Sequence, residues 1–395
     1  MADLITIAEA RSRVLEAVRP LAAEPVPVAE ALGRVLAEDV ESAISVPPFD
    51  SSAMDGYAVI AGDGGELKVV AEARAGHPAD MAVTPDTAIA ISTGAAVPEG
   101  ATAVVPVERT EAAEDSVRVP ATKAGANIRH AGEDVAAGDV VLRRGDLLAP
   151  AALGVAASVG LASVSCTRRP RVALLVTGDE LTEPGQPLAP GAIYSSNGYA
   201  LAGQVERAGA LLVRHERVPD DAEVTHASIG AALAEADVVV VSGGVSVGPH
   251  DHVKDAFARQ DAEQRFWGIG LRPGKPVWFG ARGSTLAFGL PGNPVSAMVT
   301  FQLFVRPALA ALQGADPSIT RTAARLDQPV ARMAHREQAV RVRLVAAEDG
   351  WRAAPTKGAQ GSHVLTSMLG ADALALIAPG EGEAPAGELV EVELL

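Results

Sequence analysis

The sequence predicts a multidomain α/β plus β protein: a central α/β domain with a parallel sheet, an inserted small β domain, a helical linker domain and a C-terminal β domain. Three observations predict it. Between residues 170 and 312, short apolar runs at 172–176, 238–241 and 286–288 each end in a glycine-bearing loop, with helical stretches between them. That strand–helix–strand alternation implies parallel strands. Residues 57–120 carry short alternating runs separated by Gly, Pro and Asp clusters, and the runs at 338–346, 351–355, 373–378 and 388–394 repeat that texture, which is the pattern of small β domains. A chain of 395 residues also favours two to four domains over one.

In chain order, Thr6 and Glu9 form a capping box, and Ile7, Ala10, Val14 and Val18 then keep helical spacing. A short helix is predicted at 28–32, ending at Gly33. An irregular segment rich in Pro, Ser and Asp covers 46–56. Strands are expected at 67–71, 87–92, 103–107 and 116–119. The uncharged run 148–166 is long enough to raise a membrane question, but Pro150, Gly154, Gly160 and three serines interrupt it. A short helix opened by Pro150 and closed at Gly160, then a strand, is the better reading. The basic joint Arg168-Arg169-Pro170-Arg171 opens the α/β domain. Its last element is a long helix over 294–312, with Asn293 as N-cap and Pro294 in the first turn. Gly314 and Pro317 mark the next boundary. The expected division is therefore 1–45 with 137–169 (helical linker), 46–136 (inserted β), 170–315 (α/β) and 316–395 (C-terminal β).

Bulk properties narrow the function. Hydrophobic residues make up 48% of the chain and aromatics 3%, so the cores must be built from Ala, Val and Leu. A net charge of −16 argues against nonspecific binding to nucleic acid or anionic membrane, which needs a basic surface. The single cysteine, Cys166, excludes a disulfide framework and a Cys-rich metal site. The first thirteen residues carry Asp3 and Glu9 and lack an apolar core segment, so they do not read as a signal peptide, and a cytoplasmic location is expected.

Parallel strands place their carboxyl ends on one edge, where open α/β sheets bind ligands. The loops that converge there are Thr177-Gly178-Asp179-Glu180, Ser242-Gly243-Gly244-Val245-Ser246-Val247-Gly248 and Leu290-Pro291-Gly292-Asn293-Pro294. The second lets backbone approach a ligand closely, and a helix predicted from about Asp251 turns its positive end to the same space. This suits a phosphate, although the loop is neither a Walker loop nor a dinucleotide fingerprint. On spacing alone a tight strand-to-helix turn explains it equally well. Carboxylates gather nearby: Asp179 and Glu180, Asp220 and Asp221, and Asp251. Acids beside a phosphate repel it unless a divalent ion intervenes. Mg²⁺ takes one or two carboxylates, phosphate oxygens and waters. His250-Asp251-His252 is a weak transition-metal signal without Cys or a third ligand. Arg272-Pro273-Gly274-Lys275-Pro276 pre-positions two cations for an anion, or is a β-turn with exposed basic residues.

Taken in order, the motifs resemble the molybdopterin molybdenumtransferase (MoeA) family, which includes the gephyrin E domain. The resemblance rests on Pro47-Pro48-Phe49-Asp50-Ser51-Ser52-Ala53-Met54-Asp55-Gly56-Tyr57-Ala58, Ser92-Thr93-Gly94-Ala95, Asn127-Ile128-Arg129 with Gly132-Glu133-Asp134, the three loops above, Pro273-Gly274-Lys275-Pro276 and Gly361-Ser362-His363. It spans nearly the whole chain and implies that the central domain binds molybdopterin. The implied activity is insertion of molybdate into adenylylated molybdopterin, with Mg²⁺-assisted release of AMP. A homodimer and an upstream molybdopterin adenylyltransferase as partner are implied as well. Carried over by motif position, the catalytic acids would be Asp55, Asp134, Glu180, Asp220 or Asp221, and Asp251, with Glu180 and Asp251 organising Mg²⁺. Substrate contacts would come from the loop residues Ser242, Gly243, Gly244, Ser246 and Gly248, and from Arg272, Lys275, Ser296, Arg336 and Ser362. Thr93, Pro291 and Pro294 would shape the cleft. The chain departs from the family pattern in carrying Gly268 and Arg272 where many relatives have Lys. It also reads His335-Arg336-Glu337-Gln338-Ala339 where the family has Gly-Arg-x-x-Phe. The rival readings are a CinA-like nucleotide pyrophosphatase and a non-enzymatic molybdopterin-binding scaffold.

Overall fold

The structure, a computed structural model, describes residues 4–246, 252–356 and 358–395. It divides into two compact units. Unit one comprises Met1–Glu24, Gly33–Ala37 and Cys166–Leu395; unit two comprises Pro25–Leu32 and Glu38–Ser165.

Unit one opens with α1 (Ile7–Glu16), where the Thr6 side chain accepts a hydrogen bond from the Glu9 N–H as the capping box requires. Its central sheet uses β1 (Arg171–Thr177), β2 (Leu211–Val218), β3 (Val238–Ser242), β4 (Glu263–Trp267), β6 (Trp278–Arg282) and β7 (Thr285–Leu290). The strand order is β2-β1-β3-β7-β6-β4. The first four strands are parallel, with α2 (Ser196–Arg207) and α3 (Ala222–Glu235) between them. The last two are antiparallel. The three apolar strands read from the sequence are parallel as expected, and an antiparallel pair at one edge makes the full sheet mixed. After β3 comes α4 (Val253–Arg259), and the apolar runs of β1, β3 and β7 are buried on both faces, as expected for strands covered by helices on each side.

The predicted long helix is real but not uniform. It runs as α5 (Pro294–Thr300), a π-helical turn Phe301–Val305 and α6 (Arg306–Leu312). It is the one helix among the described residues long and apolar enough to cross a membrane, yet 78% of it is buried inside the protein, so it is a core helix. The aromatic residues are few but concentrated. Six of the seven phenylalanines are buried, all in unit one, and only Phe49 is exposed. The core of unit one is therefore not built from aliphatic side chains alone, as the composition suggested.

The C-terminal strands are β8 (Arg321–Leu326), β9 (Glu337–Ala347), β10 (Gly350–Pro355), β11 (Ala373–Ile377) and β12 (Leu389–Leu394). Their pairings β9–β10, β10–β8, β8–β12, β12–β11 and β11–β9 close a ring. The product is a five-stranded barrel. The two-residue strand β5 (Leu271–Arg272) pairs in parallel with the first residues of β9.

Unit two holds a six-stranded mixed sheet in the order 103–106, 56–59, 87–91, 62–73, 116–122, 111–112. Apolar clusters lie on its two faces, one around Ile89, Ile91 and Val104, the other around Val105, Val117 and Val119. The uncharged run at 148–166 forms the helix Pro150–Ser158, turns at Gly160 with φ +83°, and continues as the strand Ser163–Thr167. The segment at 28–32 is a single 3₁₀ turn, Val28–Glu30, rather than a helix; Pro27 and Gly33 leave room for no more.

Candidate active site

Three strands set the level of the site. Val176 on β1 pairs with Ser242 on β3, and Ser242 pairs with Leu290 on β7. The three loops therefore leave the sheet side by side and line one cleft of about 660 Å³, with Glu180, Asp220, Asn197, Ser242, Pro291 and His363 among its walls.

The first loop depends on Gly178. Its φ is +148°, and a Cβ there would lie 2.5 Å from Glu180 Oε2. The absent side chain is what lets the Glu180 carboxylate fold back over the loop. Asp179 and Asp220 clasp each other reciprocally. The Asp179 N–H donates to Asp220 Oδ2 at 3.3 Å and the Asp220 N–H to Asp179 Oδ1 at 3.1 Å. Asp221, expected as an alternative catalytic acid, accepts from the N–H groups of Glu223 and Val224 and caps α3.

The second loop turns on Gly243 and Gly244, both at positive φ. A Cβ at Gly243 would meet Thr177 Oγ1 at 2.5 Å. The Gly243 N–H is committed to the Leu290 carbonyl, so it points into the sheet and not at a ligand. Further along, the Trp267 indole N–H donates to the Val245 carbonyl at 3.0 Å and Lys254 Nζ to the Ser246 carbonyl at 2.6 Å. Lys254 also lies 4.4 Å over the Trp267 ring. Val247, Gly248, His250 and Asp251 lie outside the described residues, and the described part of α4 begins at Val253.

Asn197, in the first turn of α2, joins the second and third loops. Its amide donates to Ser242 Oγ at 2.9 Å and to the Gly292 carbonyl at 2.8 Å, and Ser242 Oγ donates on to the Pro291 carbonyl. No sequence motif pointed to Asn197. The far wall comes from the barrel side, where the Ser362 carbonyl accepts from the Val295 N–H at the start of α5. Ser296 is buried in that first turn, and Pro294 lines the cleft.

The basic residues are arranged less simply. Arg272 is exposed on β5, the short strand that pairs with β9, and its Nη1 contacts Met333 Sδ at 3.3 Å. Lys275 is exposed and Arg336 is half-buried. The sequence reading missed Arg341, within β9 and only 1% exposed. Its guanidinium donates to Ser367 Oγ and to the Gly361 carbonyl, beside Ser362 and His363. No carboxylate among the described residues pairs with it. Burial, with the like charge of Arg272, pushes it down to about 10. An arginine within the apolar run Ala339-Val340-Arg341-Val342 was the available signal, since charges rarely enter a strand core without a task.

In unit two, the Thr93 N–H donates to Asp55 Oδ1 at 2.7 Å, so the structure brings these two residues together. The loops that carry them are stitched by backbone bonds between Ser52 and Gly94 and between Ser52 and Ala95. Asp134 is exposed, its N–H bonded to the Val46 carbonyl. Asp50, not singled out from the sequence, accepts from the Ala131 N–H at 2.8 Å and from His130 Nδ1. The Ala131 hydrogen bond and then His130 hold its carboxyl below the usual range.

Comparison with known proteins decides the family. Residues 5–160 match the MoeA N-terminal region (domain I and II), 173–311 a probable molybdopterin binding domain, and 323–395 the MoeA C-terminal region (domain IV). The chain is 37% identical to the molybdopterin molybdenumtransferase of Haemophilus influenzae, over 99% of this chain and 98% of that one. The chain belongs to the molybdopterin molybdenumtransferase (MoeA) family. It is also 43% identical to molybdopterin molybdenumtransferase 2 of Mycobacterium tuberculosis, over 77% of this chain and 78% of the relative. Among solved structures, a molybdopterin biosynthesis MoeA protein from Pyrococcus horikoshii superposes with a TM-score of 0.85 at 32% identity, covering all of both chains. The multidomain MoeA-like fold expected from the sequence is therefore the fold of this chain.

Proposed function

We propose that this MoeA-family chain is an enzyme of molybdenum cofactor biosynthesis that inserts molybdate into adenylylated molybdopterin and releases AMP with the help of Mg²⁺. The observation that carries the reading is the cleft itself. It joins the Glu180 and Asp220 carboxylates to a backbone-walled loop at the carboxyl edge of a sheet. A diphosphate needs both a surface without bulky side chains and a means of tolerating nearby acids.

The donor set fits Mg²⁺, a hard cation that prefers oxygen. Glu180 would hold it, with Asp251 as the second carboxylate carried over from the family pattern. When bound, the ion supplies charge neutralisation to the diphosphate. The rest falls to the chain's own groups. Gly243 and Gly244 let the loop approach the phosphates without a Cβ in the way. The Asp179–Asp220 clasp keeps the first loop and the loop before α3 in register. Asp220, which lines the cleft, would orient a water for attack on one phosphorus of the phosphoanhydride; the bridging P–O bond breaks, AMP and the phosphorylated molybdopterin separate, and the released proton passes to solvent. Arg272, Lys275 and Ser362 receive the molybdate oxyanion, and Arg341 braces the loop that carries Ser362. Pro291 and Pro294 shape the cleft; Ser246, Gly248, Ser296 and Arg336 remain contacts by family analogy, as do Asp55, Asp134 and Thr93 for unit two.

The same reading includes a homodimer, an upstream molybdopterin adenylyltransferase as partner, a cytoplasmic location and the four-part division of the chain given above. The test is AMP release from adenylylated molybdopterin with molybdate and Mg²⁺. Glu180→Ala should lower the rate by about a hundredfold or more, the scale of removing a positioned acid–base or charge-organising group. Unchanged AMP release and cofactor formation in Glu180→Ala would overturn the assignment of Glu180, and a parent chain that releases no AMP above the uncatalysed background would favour a scaffold.

A further inference from the structure

A second cavity, of about 350 Å³, lies in unit one and shares no lining residue with the cleft. Helix α2 links the two places. Ser196 and Asn197 at its start line the cleft, and Gln204 and Arg207 near its end line the cavity. At 1.5 Å rise per residue the separation along the helix is about 16 Å.

The cavity has an apolar floor, formed by Met298, Phe301, Met368 and Leu394, and a cationic wall, formed by Arg207 and Arg306. Glu393, fully buried, is already taken by both nitrogens of Arg11 at 3.0 Å and by Arg321 at 2.7 Å. Arg207 gives Nη2 to a main-chain oxygen of Leu395, itself part of the lining, at 2.7 Å. The Arg306 guanidinium, half-buried, forms no hydrogen bond or ion pair with any described residue. Burial, then the charge of Arg207, then that of Arg11 outweigh Glu393 and disfavour its charged form. A second observation is independent of charge. The α5–α6 helix breaks into a π turn at Phe301–Val305, so that Phe301 and Gln302 line the cavity and Arg306 follows directly. Such turns widen a helix at a cost in regular hydrogen bonding and are found often at functional sites. A third is Gln204, whose Nε2 donates to the Met298 carbonyl while its buried Oε1 has no partner among the described residues. The wall of this cavity is not packed to closure.

We propose that this cavity is a second binding site, taking a small carboxylate with an apolar body. An unpaired guanidinium fork matches a carboxylate, and one open fork selects a single negative charge. The apolar floor rewards a hydrocarbon body and gives nothing to inorganic phosphate. At about 350 Å³ the space lies at the small end of the range of ligand pockets, which suits a small acid.

Isothermal titration of the full chain with benzoate and hexanoate, against benzamide, hexanamide and inorganic phosphate, tests this. One or both acids should bind saturably, and the neutral amides and phosphate should not. Arg306→Met should weaken acid binding about tenfold or more, the scale of a lost charge-assisted hydrogen bond. Its unfolding midpoint should stay at or above that of the parent, because an uncompensated charge leaves the interior, so a folding failure does not stand in for lost binding. A crystal soaked with the tighter acid should show it against Arg306. The proposal is overturned if neither acid binds more tightly than its amide, if Arg306→Met binds as the parent does, or if the soaked cavity holds water only.

Discussion

Substituting Gly178 by Ala separates a backbone effect from a catalytic one. The residue sits at φ +148°, which a side chain tolerates poorly, and holding an L-residue there costs about 1–3 kcal/mol. The new Cβ would also stand 2.5 Å from Glu180 Oε2 and 2.9 Å from both Glu180 Cδ and Oε1. That contact is cheap to relieve, because Glu180 is exposed and its carboxylate is the far end of a flexible side chain. Stability should therefore fall by the backbone amount alone, about 1–3 kcal/mol. The same loss should appear whether residue 180 is Glu or Ala, with a coupling under about 0.5 kcal/mol. Activity should behave differently. Relief of the contact moves the carboxylate off its perch, so Gly178→Ala should lose most of the AMP-release rate that Glu180→Ala loses. The double variant should then be no slower than Glu180→Ala, since two changes to one functional group do not multiply. Urea unfolding gives the first quantity and steady-state AMP release the second. Gly178→Ala with parental activity, or a double variant whose losses multiply, would refute the idea that this glycine exists to seat Glu180.

Two further outcomes follow from other contacts. Asn197→Ala removes two donors, to Ser242 Oγ and the Gly292 carbonyl, and should cost about 2 kcal/mol at roughly 1 per bond; a loss below about 0.5 kcal/mol in urea unfolding would mean that the loops hold together without it. Asp237 is drawn up by burial but held below the usual carboxylate range by both Arg168 nitrogens, at 2.6 and 2.7 Å, and by the Arg171 N–H. A depressed folded-state value contributes stability above the unfolded value, near about 4, that is lost as pH falls through the folded one. Asp237→Asn should therefore cost about 2 kcal/mol at pH 7, with the gap to the parent closing as pH drops below about 4; a gap that stays constant from pH 7 to pH 3 would contradict the assignment.

Much of the site was written locally. Apolar runs followed by Gly-rich loops are short-range signals, and they located the sheet edge, the glycine turn at 243–244 and the placement of Glu180 and Asp220 in one cleft. What stayed hidden depended on partners far away in sequence. Nothing in Glu263–Trp267 or Trp278–Arg282 states that these strands run antiparallel to their neighbours; the hairpin turn at Gly283 was simply weaker punctuation than the motifs around it. Asn197 belongs to no motif, and its importance appears only when α2 brings it against two loops 45 and 95 residues on. Arg341 was passed over because motif position favoured Arg336, while its own meaning came from burial in a barrel whose closure no single strand announces. Asp221 shows the plain alternative for an acid before a helix: the structure uses it as a cap.

The ring of five strands carries a liability of its own. A sheet that closes on itself has no borders while it is whole, and it gains two at once if any stave is removed. Clipping Leu389–Leu394 would bare the flanks of β8 and β11 together and withdraw Glu393 from Arg11 and Arg321. Six residues lost by proteolysis would then turn a self-contained module into an adhesive one, ready to recruit strands from other chains.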